Sequence, residues 1–233
     1  MTSISKANTT PNIGEAPADQ AAERKRARLA ALALIASPAL WFVGALAFFT
    51  TLGAFYTTDD PVAKLNGIAG QRVAWTVQSV LFALGGLTAA AGLIIVARLL
   101  RSDVPALARA GMVAASSSAI ATVAILAIRL AAPLDGVRDV SEVPPLLLAV
   151  HSSIGAPSLL GNGVVLVTVA AVALVAIALY TSRRAKVTGA LVALACSVVA
   201  LAIIARGGLP PVVVYPIAAV LGVRLLFWRP IGS

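Results

Sequence analysis

Cysteine and histidine are nearly missing from this chain: one of each, Cys196 and His151, in 233 residues. A single cysteine excludes an intrachain disulfide. A single histidine excludes bis-histidine haem ligation and any multi-histidine metal site within one chain, and no metal or other cofactor is expected. Charged residues make up only 12% and aromatics 5%. No Asp or Glu falls within any of the long apolar runs. A carboxylate buried in a bilayer is costly and usually belongs to an ion or proton relay, so its absence argues against proton- or sodium-coupled transport. Nor does the chain carry a P-loop, a dinucleotide-binding glycine fingerprint, an EF-hand loop, a CxxC pair or a Gly-x-Ser-x-Gly elbow.

What the chain does have is hydrocarbon. Hydrophobic residues reach 60% and gather into long runs rather than alternating with polar ones, the mark of a polytopic membrane protein. The run over 73–100 organises the rest: it holds no charge before Arg98, and Gly85, Gly86, Ala89 and Gly92 give it small faces for close helix approach. The fold expected is an all-α bundle of six transmembrane helices, at about 29–55, 73–98, 105–130, 163–181, 187–205 and 209–228. A disordered basic tail, 1–28, precedes that 29–229 domain. The first run extends past a signal-peptide core and is read as a retained span.

The formal charge of +9 follows the same layout. With both termini cytoplasmic, thirteen basic and four acidic residues lie inside, against five and five outside. The whole excess is therefore a positive-inside bias, which indicates orientation and contact with anionic lipid rather than a nucleic-acid partner. Arg24, Lys25, Arg26 and Arg28 with Arg183 and Arg184 are the expected headgroup ligands. Usage rich in Ala, Val and Arg and poor in Lys suggests a bacterial plasma membrane.

Local signals refine the connections. Asp60 before Pro61 should be extended, in an outer loop over 57–72. Asp103 is placed to cap the helix that begins at Pro105, and Trp75 and Arg129 to meet the outer interface, Arg129 by snorkelling. Pro210, Pro211 and Pro216 make the outer third of the last span irregular. The segment 144–160 is apolar but broken by Ser152, Ser153, Gly155 and Pro157, so an interfacial or re-entrant helix fits it better than a span.

Polar groups within the spans are the remaining candidates. Gln78, Ser116, Ser117, Ser118 and Thr122 could line a path, with 144–162, including His151 and Asn162, as an outer lid. Hydroxyls in spans more often bond their own helix or a neighbour. His151-Ser152-Ser153 is poorly built for a triad, because adjacent helical residues do not face each other. The expected function is a non-enzymatic accessory or interaction subunit with a membrane-protein partner or a second copy of itself. A transporter of an apolar or lipid-like solute is the alternative, and a membrane-embedded hydrolase using His151 the third.

Overall fold

The computed structural model describes residues 15–51, 60–131, 138–143, 145, 159–206 and 213–228. Among them there is no strand; the chain is an all-α polytopic membrane protein. The described residues form seven α-helices in order: α1 (Glu15–Thr51), α2 (Pro61–Gly70), α3 (Arg72–Leu99), α4 (Pro105–Ala131), α5 (Leu159–Thr181), α6 (Lys186–Arg206) and α7 (Val214–Leu226). Five of them, α1 and α3–α6, are long and apolar enough to cross a membrane.

The sixth expected span is shorter than its sequence run. α7 has 13 residues and rises about 20 Å, against the roughly 30 Å of a bilayer core. Its helix begins at Val214, just past Pro210 and Pro211, which have no amide hydrogens to donate. The tail also differs from expectation: 15–28 is helical and continuous with the first span as part of α1. Its residues are mostly Ala, Glu, Lys, Arg and Gln, all strong helix formers. The 57–72 connection contains α2, started by Pro61 in its first turn and by extended Asp60, whose carboxylate accepts from the Val62 amide at 2.9 Å.

Chain neighbours pack side by side, α3 on α4, α4 on α5 and α5 on α6, while α7 turns back onto α1 and α1 lies along α3. α5 also touches α3 and α7, which places it towards the middle of the bundle. The core is a continuous body of mainly Ala, Val and Leu from the five long apolar helices and α7, including Leu34, Leu93, Val96, Val172, Val175, Leu179 and Leu221. Small residues let these helices meet. A Cβ on Gly92 would lie 3.2 Å from the Ala30 carbonyl, on Gly222 2.9 Å from that of Ala31, and on Gly189 2.6 Å from that of Ala176. Gly85 faces α1 and Gly86 faces α4 and α7. The small faces seen in the sequence of α3 are thus used inside the chain.

Candidate functional site

The polar side chains of the bundle fall into three groups. The first lies at the end of α3 and α4 away from the basic residues. Trp75, Gln78, Ser79 and Phe82 occupy positions i, i+3, i+4 and i+7 of α3, hence one face. Arg129, in the last turn of α4, lies against that face. Its Nε donates to Ser79 Oγ at 3.0 Å and Nη2 to Gln78 Oε1 at 3.5 Å. The guanidinium carbon sits 4.0 Å from the centroid of the Trp75 ring and 5.8 Å from that of Phe82. Trp75 Nε1 donates in return to the Arg129 carbonyl at 2.6 Å.

Trp75 is fully buried within the bundle. One sequence expectation is corrected here: the Arg129 guanidinium folds onto α3 instead of snorkelling to headgroups. An indole face and two side-chain oxygens offer the guanidinium a cation–π contact and acceptors within the bundle.

The second group sits deeper. Ser118 Oγ and Thr168 Oγ1 are 2.7 Å apart and join α4 to α5. Thr168 donates to the Val164 carbonyl at 2.8 Å, so Ser118 is the donor between the two. Thr122 donates to the Ser118 carbonyl at 2.8 Å. Ser37 of α1 reaches the Gly85 carbonyl of α3 at 2.7 Å. The Ser118–Thr168 and Ser37–Gly85 bonds cross between helices, while the Thr122 and Thr168 bonds to carbonyls stay within their own helix.

Ser116 and Ser117 are not in this group. The buried seam of α4 is Ala108, Gly111, Ala115, Ser118 and Thr122, at alternating steps of three and four. Ser116 and Ser117 lie off that seam and are exposed. The hydroxyl patch therefore divides between two faces, and Ser116 and Ser117 cannot line one path with Gln78. Ser117 belongs instead to an outward stripe of α4, with Ala106, Ala110, Val113, Ile120, Ala124 and Ala127, all exposed. The outward face of α6 presents Val187, Leu191, Leu194, Val198 and Leu201, with Ala190 and Ser197 exposed beside them.

The third group closes the basic end. Arg184 Nε donates to Asp103 Oδ2 at 2.7 Å, and Nη1 to Glu23 Oε1 at 2.9 Å. Its guanidinium lies 4.8 Å from the Trp228 ring centroid, and Trp228 Nε1 donates to the same Glu23 oxygen at 2.9 Å. Arg183 adopts φ 61°, left-handed for a non-glycine residue, in the turn that aims Arg184 inward. Two expectations change accordingly. Asp103 serves Arg184 and the Ser102 hydroxyl rather than capping α4. Arg184, counted among headgroup ligands, is committed to two carboxylates. Arg24, Lys25, Arg26, Arg28 and Arg183 are exposed.

His151 lies outside the described residues, as does most of the expected lid. The side chain of Asn162 is likewise outside them, although its backbone belongs to α5. Among the described residues, no three His, Cys, Asp or Glu side chains come together as a metal site. Sequence reasoning found Gln78 but missed Ser79, Thr168, Glu23 and Trp228. The signal for Ser79 was its place one turn from Trp75; for the others, partners 50 to 205 positions away, no local signal existed. The chain matches no family model, no curated protein and no solved structure.

Proposed function

We propose that this protein is a non-enzymatic membrane protein that works by lateral contact, as an accessory or interaction subunit of a bacterial plasma membrane. The supporting observation is the outward stripe of α4. Helices in lipid associate through close packing of small residues and through hydroxyls, since hydrocarbon gives apolar side chains no preference for protein over lipid. Ala106, Ala110, Ser117, Ala124 and Ala127 present such a surface along the full helix, with Val113 and Ile120 between them. The bulky residues on the outward face of α6 suit lipid instead. In this reading the basic end faces the cytoplasm, with both termini, and the exposed Arg24, Lys25, Arg26, Arg28 and Arg183 meet anionic headgroups.

Native mass spectrometry after gentle extraction from the host membrane tests the proposal. A stoichiometric second polypeptide, or a second copy of this chain, is the expected result. A single chain carrying only lipid would overturn it.

A further inference from the structure

α1 and α7 meet closely at the basic end and part further along. A Cβ on Gly222 would stand 2.9 Å from the Ala31 carbonyl and 3.0 Å from Ile35 Cγ1. Two turns on, Pro38, Ala39, Trp41 and Phe42 of α1 face Tyr215 and Pro216 of α7 across a cavity of about 320 Å³. The gap has a cause in side chains that draw α1 the other way. Ser37 bonds the Gly85 carbonyl of α3. Trp41 stacks on Phe82 of α3 with centroids 4.5 Å apart and planes 10° apart. Gly44 lets that Phe82 ring approach to within 2.8 Å of where a Cβ would be. The Trp41 ring thus lies between the two helices, stacked on Phe82 of α3 on one side and 6.4 Å from the Tyr215 ring centroid of α7, tilted by 40°, on the other.

The cavity opens sideways. Ala39, Phe42 and Pro216 at its rim are exposed, Phe42 at 64%. Its depth follows from helix rise. Pro38 lies ten residues past Arg28, about 15 Å along α1 and hence near the middle of a roughly 30 Å hydrocarbon core. Apart from the Tyr215 hydroxyl, its lining side chains carry only carbon and the indole nitrogen, so a polar or charged ligand finds little to bond. A hydrocarbon chain fits. A cavity of about 150 Å³ holds one benzene, so this one takes a chain segment on the order of ten carbons.

A track connects that cavity to charge. Arg28, Leu32, Ile35, Ala39 and Phe42 follow one another at steps of four and three along one stripe of α1. Arg24 stands one turn before Arg28, and both are exposed. Their nearest acid, Glu23, is taken by Arg184 and Trp228. Among the described residues no ion pair involves either arginine, so two guanidinium groups stand at headgroup level, Arg28 about 15 Å and Arg24 about 21 Å from the cavity, a span that a lipid chain covers.

We infer that the α1–α7 seam is a binding site for one anionic phospholipid of the leaflet at the basic end. The headgroup pairs with Arg24 and Arg28, one acyl chain runs along Leu32 and Ile35, and its far half fills the cavity beside Trp41. The inference deepens, and rests on, the reading of the basic end as an anionic-headgroup surface; the chain-filled cavity is new.

Trp41 reports on the site directly. The full chain with Trp75→Phe and Trp228→Phe keeps Trp41 as its single tryptophan. It is placed in phosphatidylcholine vesicles containing a minor fraction of either phosphatidylglycerol or phosphatidylcholine brominated in mid-chain. Brominated phosphatidylglycerol is expected to quench Trp41 at a concentration on the order of tenfold lower than the zwitterionic lipid. Arg24→Gln with Arg28→Gln should abolish that preference, and Ala39→Phe, which fills the cavity from an exposed position, should remove most quenching by either lipid. Unchanged quenching in Ala39→Phe overturns the cavity site even where the arginine variant behaves as expected, and leaves the headgroup reading standing. Equal quenching by both lipids overturns the headgroup reading and the site with it. If the two tryptophan substitutions prevent folding, the unvaried chain and Ala39→Phe are compared by native mass spectrometry for retained phosphatidylglycerol. Loss in the variant is expected, and equal retention overturns the site.

Discussion

Trp75 and Arg129 hold each other twice: the indole donates to the Arg129 carbonyl at 2.6 Å, and the Arg129 guanidinium lies 4.0 Å from the same indole's centroid. One contact fixes the end of α4 and the other fixes the charge. The pair therefore locks α3 and α4 at the end opposite the basic cluster.

Arg129→Ala should lower stability by about 2 kcal/mol, the order of a desolvated cation–π contact together with a weak interhelical bond. Arg129→Lys should recover little of it, because an ammonium has neither the planar face for Trp75 nor the fork that reaches Ser79 and Gln78 together. Reversible unfolding in mixed micelles checks this. Full recovery by Lys would mean that charge alone matters there.

At the other end, Arg184 joins Glu23 of α1 to Asp103 of the α3–α4 turn. Arg184→Ala should destabilise more than Glu23→Gln or Asp103→Asn, since it leaves two carboxylates without their shared partner. A double-mutant cycle between Arg184 and Glu23 should give a coupling of about 1 kcal/mol. Additive effects would show that the pair contributes nothing measurable.

The hydroxyls of α4 should separate by face. Ser118→Ala breaks the bond to Thr168 and should cost about 0.6 kcal/mol, while Ser116→Ala and Ser117→Ala should leave the stability of the single chain unchanged. The ranking of the three by thermal unfolding decides it.

Two glycines should respond in opposite directions. Gly189→Ala forces a Cβ against the Ala176 carbonyl and the Tyr180 amide and should cost about 1–3 kcal/mol. At Gly163 nothing lies within 4 Å of a new Cβ, and Gly163→Ala should stabilise by up to about 1 kcal/mol through the unfolded state.

The spans at α3, α4 and α6 were legible to within two residues because length, apolar runs and flanking Pro and Arg all agree there. Asp60 was legible for the same local reason, as an Asp-Pro step. The start of α1 was not. A polar, Ala-rich stretch reads as a tail until Glu23 is seen to meet Arg184 and Trp228. Gln78 was found because it stands alone in an apolar run, yet its partner Arg129 is 51 positions away. Which serine of three consecutive ones faces inward depends on helix rotation within the bundle, which composition does not encode.

Cysteine cross-linking in native membranes tests the proposed interaction face most directly. In a Cys196→Ala chain, single cysteines at Ala110, Ser117 or Ala124 should each yield one discrete cross-linked species. Cysteines at Leu191 or Val198 of α6 should yield none. Equal cross-linking from both helices, or none from α4, would contradict the assignment of α4 as the surface through which this protein meets its partner.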